Sequence, residues 1–264
     1  MIETKSDLWT APIIRVYRIL KDPTVRSVMR RELGAYFNTP IGYVIIAFFL
    51  LLTCWFYVDD LFLRGTAEMR QFFDLMPLFM LIFIPAISMR LWAEERKLGT
   101  MEVLLTLPVK AWQVVMGKYL AGLVFIVIML ALSLHLPLAL ASKSILAGNP
   151  DLGQVAAGYA GAIVLGMIYL AIGAFASALT ADQIVAFIIG ISFSFVFFLM
   201  GQQGVLAWVR DWSPFAADLV ERFGVGYHFQ SITRGVLDTR DIIYAFTVAG
   251  LFLFLNVLVV ERRR

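Results

Sequence analysis

The sequence predicts an all-α polytopic membrane protein with six transmembrane helices, and three observations carry that. Charged residues make up only 16% of the 264 residues against 61% hydrophobic ones, with a mean hydropathy of +0.83. A soluble domain carries about 25% charge. Six windows, residues 33–58, 75–89, 119–142, 152–181, 183–209 and 242–260, contain no Asp, Glu, Lys or Arg. A helix needs roughly 17–25 apolar residues to cross the hydrocarbon. Five windows satisfy that outright, and the second does so once Phe72, Phe73 and Asp74 are added. Backbone polar groups in lipid must be paired within a helix or a closed barrel, and long unalternated apolar runs exclude the barrel. The chain divides into residues 1–40, a cytoplasmic N-terminal segment with an amphipathic elbow helix, and 41–264, the six-helix transmembrane domain.

Residues 1–40 are mixed and charged without a continuous apolar core, so they are no signal peptide, and the first span is expected to act as the insertion signal. Within them Val25, Val28, Met29, Leu33, Tyr36 and Phe37 recur at helical spacing, with Arg26, Arg30 and Arg31 off that face. This predicts an amphipathic helix in the cytoplasmic interface, as a cradle for a partner or as a basic anchor on anionic membrane lipids. Asn38-Thr39-Pro40 breaks it, and the first span starts near Ile41. The second span carries Pro77 and Pro85, each removing a helix hydrogen bond and inviting a kink.

Arg90–Lys97 should continue the second span out of the membrane. Gly99 suits the left-handed position that ends a helix. Thr100 is then a helix N-cap, with Glu102 in the first turn where negative charge is favoured. Met101, Leu104 and Leu105 make one apolar face of a short helix that Pro108 closes. Such a knob can place Leu104 and Leu105 in a groove on a soluble protein while Glu94, Glu95 and Glu102 meet basic residues. The same pattern fits an interfacial loop leading back into the bilayer.

In the third span His135 is expected to be buried and hydrogen-bonded, because no second ligand accompanies it. The fourth span, with Gly153, Gly158, Gly161, Gly166 and Gly173, should be packed inside the bundle or against a second copy. After the fifth window, Ser213-Pro214 is a helix start; Phe215, Leu219, Val220 and Phe223 form an amphipathic turn or two, stopped by Gly224 and Gly226. Tyr227–Arg234 gives a second short helix before Gly235, so an outer, re-entrant or surface-lying helical pair precedes the sixth span. Fifteen of the 22 Lys and Arg fall in residues 1–40, 90–118 and 261–264. That bias places both termini and the 90–118 loop in the cytoplasm. The basic balance is an orientation signal, and no nucleic-acid partner is expected.

No G-x-x-x-x-G-K-[ST], G-x-S-x-G, H-E-x-x-H or C-x-x-C pattern occurs, so no nucleotide, nucleophile or metal chemistry is expected of the chain itself. The single Cys54 rules out an intramolecular disulfide. Uncharged spans without a clear internal repeat argue against ion-coupled transport. Work, if done, draws its energy from outside.

Three stretches carry a resemblance: R-R-E-L at Arg30–Leu33, E-E-R-K-x-G-T-x-E-x-L-L-T-x-P at Glu94–Pro108, and S-x-x-R-G-V-x-D-x-R-D at Ser231–Asp241. From about Val25 to the C-terminus the chain resembles the permease subunit of an ABC-2-type transporter, nearest the gliding-motility permeases. The resemblance implies a dimer of six-helix permeases, identical or homologous, in a bacterial cytoplasmic (inner) membrane. It implies a separate ABC ATPase subunit that holds ATP and Mg, with no cofactor on this chain and no enzyme activity of its own. It maps the ATPase-coupling interface to Arg30, Arg31, Glu32, Glu94, Glu95, Arg96, Gly99, Thr100, Glu102 and Leu105. An outer gate maps to Pro214, Phe215, Ser231, Arg234 and Gly235, and an extracytoplasmic companion protein is common. The expected function is ATP-driven export of an unidentified substrate; the alternatives are a scaffold passing ATPase motion to an outer partner, or a self-contained channel or intramembrane enzyme.

Overall fold

Local chemistry sets the first helix ends. The Asp22 carboxylate accepts from the Thr24 amide at 2.9 Å and Pro23 fills the first helical position, opening α1 (Pro23–Asn38). Pro40 disfavours helical backbone at the residue before it, and Thr39 is extended at φ −114°, ψ 147°. A new helix, α2 (Pro40–Arg64), starts immediately. A computed structural model describes residues 21–64, 69–101, 108–141, 152–233 and 238–262. The chain continues through α3 (Arg70–Ser88), α4 (Arg90–Lys97), α5 (Ala111–Ser133), α6 (His135–Ala141), α7 (Leu152–Leu179) and α8 (Gln183–Leu199). Then come α9 (Gln203–Trp212), α10 (Pro214–Phe223), α11 (Val225–Thr233) and α12 (Thr239–Glu261). Among the described residues there is no strand.

Five stretches are long and apolar enough to span a bilayer: Pro40–Val58, Phe72–Lys97, Ala111–Leu138, Leu152–Leu179 and Thr239–Glu261. The window read as the fifth span is a pair, α8 and α9, bent by 69° at a short break that includes Gly201 and Gln202. A sixth crossing exists only if that pair counts as one. The bend has a packing reason. A Cβ on Gly201 would lie 2.6 Å from the Gly226 backbone, so α8 ends where two backbones touch. The helix start at Ser213-Pro214 is as expected, the Ser213 hydroxyl accepting from the Ala216 amide at 3.4 Å.

The small-residue helix α7 lies at the centre, packed against α3, α4, α5, α8, α11 and α12. A Cβ at Gly158 would meet the Phe73 ring at 2.6 Å, and one at Gly173 would meet the Ser88 hydroxyl. Only glycine lets α3 lie this close. The α1 face predicted from spacing is the packed one: Val25 and Tyr36 are buried, and Val28, Leu33 and Phe37 adjoin the core, while Arg26, Arg30 and Arg31 are exposed. His135 departs from expectation. The turn at Leu134 leaves its ring exposed, with Nδ1 2.8 Å from the Leu132 carbonyl in the last turn of α5.

The second span is interrupted at Met89, one turn beyond Pro85. Ser177 of α7 repairs the break, its hydroxyl donating to the Met89 carbonyl at 2.7 Å and accepting from the Trp92 and Ala93 amides at 3.0 and 3.1 Å. Leaving buried backbone groups unpaired costs about 1–3 kcal/mol. Ser177→Ala should therefore destabilise the protein by roughly 2 kcal/mol, read as a lower thermal midpoint of the lipid-reconstituted chain; an unchanged midpoint refutes this role.

Candidate functional site

Lys118 lies two turns into α5 with its side chain 2% exposed. An ammonium needs acceptors and opposite charge around it. Nζ donates to the Leu91 carbonyl at 2.7 Å and to Glu32 Oε1 at 3.1 Å, and it forms an ion pair with Glu95 Oε1 at 3.0 Å. The charge also lies 5.0 Å from the centre of the Trp92 ring. Arg31 closes the arrangement from outside, donating to the same Glu32 and Glu95 oxygens at 2.8 and 2.9 Å. Two cations and two carboxylates alternate, and the elements they join are α1, α4 and α5.

Burial opposes ionisation of Glu32, yet the Lys118 ammonium and the Arg31 guanidinium beside it hold its carboxyl below the usual carboxylate range. The hydrogen bond to Glu32 raises the Arg31 guanidinium above its ordinary value. Burial pushes the Tyr36 hydroxyl up; it stays protonated and donates to the Ile87 carbonyl at 3.1 Å. The second oxygen of Glu95 is buried without a hydrogen-bond partner. Beside the network opens a cleft of about 370 Å³, walled by Tyr36, Arg90, Glu94, Leu98 and Thr100 among others.

Glu94 pairs with Arg90 at 2.9 Å, and Arg90 also donates to the Thr39 hydroxyl at 3.1 Å, tying α4 to the α1–α2 corner. Arg96 donates to the Ala178 carbonyl at 3.2 Å. Gly99 has φ +69°, the left-handed conformation expected at the end of a helix. The Thr100 hydroxyl donates back to the Glu95 carbonyl at 3.3 Å and so helps close α4. Of the helix that Thr100 was expected to cap, Thr100 and Met101 are themselves helical, with Met101 buried, and the rest, including Glu102 and Leu105, falls outside the described residues. Arg30 is exposed on α1. At the other end of the bundle Pro214 and Phe215 open α10, with Phe215 exposed. Ser231 belongs to α11 by its backbone, its side chain lying outside the described set, as do Arg234 and Gly235. The structure thus joins Arg31, Glu32 and Glu95 directly and holds Glu94, Arg96 and Thr100 nearby.

Lys118 was read from sequence only as a loop-edge charge. The available signal was its setting. Val114, Val115, Met116 and Gly117 precede it and Tyr119 follows, and a lone charge in an apolar helix requires a partner.

A family model described as ABC-2 family transporter protein matches residues 28–259. The chain belongs to this family. No curated protein matches it. As an ABC-2 family chain it is an integral membrane protein of a transport system, and its membership implies association with an ABC ATPase subunit. The membrane components of this family carry no ATPase motif of their own.

Removing one partner of a buried ion pair costs about 3–5 kcal/mol, whereas replacing the whole set by apolar or neutral groups is often tolerated. Lys118→Met should lower the thermal midpoint sharply, and adding Glu32→Gln and Glu95→Gln should restore at least half of the loss. Equal midpoints for the single and triple variants contradict the network.

A carboxyl whose folded pKa is depressed contributes stability above its unfolded value and loses it as pH falls through the folded one. The Glu32 contribution is therefore intact at neutral pH and is lost below its ordinary value of 4.5. Thermal midpoints measured on either side of that value should fall more in the wild type than in Glu32→Gln; equal falls count against the assignment.

Proposed function

We propose that the chain is the permease subunit of an ATP-driven ABC-2 exporter, moving a substrate not yet identified. The observation that carries this reading is the buried Lys118 network, which fastens α1 and α4 to the membrane helix α5. Force applied to α1 or to α4 then reaches the bundle as one displacement. The ABC ATPase docks on this face, around Arg30, Arg31, Glu32, Glu94, Glu95, Arg96, Gly99, Thr100, Glu102 and Leu105. It supplies ATP and Mg; this chain binds no cofactor and catalyses no reaction. The positive-inside bias supports a cytoplasmic position for both termini and for this face, in a bacterial inner membrane.

A second permease subunit, identical or homologous, completes the pathway. The outer gate comprises Pro214 and Phe215 at the start of α10 with Ser231, Arg234 and Gly235 at the end of α11 and beyond. The gliding-motility resemblance of the Ser231–Asp241 motif supports an extracytoplasmic companion. The exposed Trp208, Trp212, Phe215 and Phe223 on α9 and α10 favour a second reading, in which ATPase motion is passed to that companion without transport. Substrate flux in proteoliposomes separates the two.

Docking is tested with residues that hold no part of the network. Arg30 and Leu98 are exposed, Leu98 by 69%. The Arg30→Glu/Leu98→Glu variant should bind the ABC ATPase subunit at least about tenfold more weakly, ~1.4 kcal/mol, with its thermal midpoint unchanged. Wild-type affinity in that variant overturns this docking face.

A further inference from the structure

His228 and Asp241 belong to different elements, α11 and α12, and meet at 2.6 Å between Nδ1 and Oδ1. The other ring nitrogen, Nε2, lies 3.2 Å from the Arg222 carbonyl in the last turn of α10. Both nitrogens therefore face acceptors. A neutral imidazole has one N–H and can serve only one of them. With a single proton on the pair, either Nε2 points a lone pair at the Arg222 carbonyl, or Nδ1 points one at the Asp241 carboxylate. The observed geometry is the form with one proton more. The surroundings put the charge on the ring. The His228 ring, carried on the first turn of α11, reaches the carbonyl end of α10, where a helix favours a cation, and Asp241 lies in the first turn of α12, where a helix favours an anion.

We infer that His228 and Asp241 form a proton-binding site that latches α11 to α10 and α12. On binding one proton from solvent the pair passes from net −1 to net zero, as imidazolium and carboxylate, and both contacts close. Releasing that proton breaks one of them. Among the described residues no cation other than the ring pairs with the carboxylate. Asp241 is 4% exposed, and its second oxygen has no hydrogen-bond partner; it borders a cavity of about 10 Å³, little more than room for one water. Tyr244 of α12 stacks on the ring at 4.0 Å and donates its hydroxyl to the Phe223 carbonyl at 2.5 Å, so the same face of α12 also closes the end of α10.

Among the described residues few ionisable groups approach the pair. Tyr227 meets the ring edge-on, and Tyr169 of α7 interacts electrostatically with Tyr244. Glu221 of α10 pairs with Arg210 at 3.5 Å. The Arg222, Asp238 and Arg240 side chains flank the site, Asp238 capping α12; Asp74 of α3 is exposed. None bonds to either member of the pair. This gives Asp241 of the outer motif a partner that its sequence neighbours do not supply. It is independent of the ATPase reading, and with the orientation proposed above the site senses the outer medium.

The test uses the full chain in lipid nanodiscs and follows amide hydrogen exchange of Val225–Thr233, corrected for intrinsic rates, between about pH 5 and about pH 8, where imidazole changes charge. One linked proton predicts that protection is full at the acid end and falls about tenfold per pH unit once the pair has titrated. His228→Gln and Asp241→Asn should abolish this dependence. In a His135→Gln background His228 is the only histidine left of two, and its ring should titrate with the same midpoint by nuclear magnetic resonance. Protection that is flat in the wild type, a pH dependence surviving in His228→Gln, or a ring midpoint apart from the exchange midpoint each overturns the proposal.

Discussion

The structure depends on burying one ammonium. Lys118 would be prohibitively costly in an apolar bundle without acceptors and opposite charge around it, so two elements must meet α5 together: α1 with Glu32, and α4 with Glu95 and the Leu91 carbonyl. The requirement acts on position more than on stability. Buried ion networks gain little over a well-packed apolar replacement, and the Arg31 contacts, on a side chain 54% exposed, are screened by solvent. What the network imposes is register. A shift of α1 along α5 by one residue separates Glu32 from Lys118 and leaves a buried charge unanswered.

A second constraint fixes what the network is attached to. The second span is the compliant one, with Pro77 and Pro85 in α3 and a break at Met89. Ser177 of α7 takes up the backbone groups that the break exposes, and Gly173, one turn earlier, lets Ser88 approach. The point at which α4 can swing relative to α3 is therefore held by the central helix. Bending there costs three hydrogen bonds at once, so α4 and α7 move together unless those bonds are exchanged for others.

Features legible in the sequence were those whose cause is local. Thr39-Pro40 breaks the helix because a proline restrains its predecessor, Gly99 adopts positive φ at a helix end, and Ser213-Pro214 opens α10; each was readable from two or three adjacent residues. The spans were readable as charge-free windows because lipid excludes charge along a whole segment. Features set by distant partners were not readable. Nothing in 183–209 foretells a bend of 69°, since Gly201 must be small only because the Gly224–Gly226 backbone lies against it. Lys118 was counted only among the charges of the 90–118 loop, because its partners Glu32 and Glu95 lie far along the chain. His135 was expected inside and turned outward, while His228, its sequence unremarkable, met Asp241 across two elements.

The two polar devices are built on opposite principles. The Lys118 network sets two cations against two carboxylates, and Lys118 and Arg31 hold the Glu32 carboxyl below the usual carboxylate range. The His228–Asp241 pair closes only when a proton is present. Between them runs α7, 28 residues without a proline, a rod of about 42 Å that meets α4 through Ser177 near one end and packs against α11 nearer the other. α7 therefore touches both α4, through Ser177, and α11. Whether α11 follows α7 then depends on how firmly it is tied to α10 and α12, and that tie is the bond the proton makes.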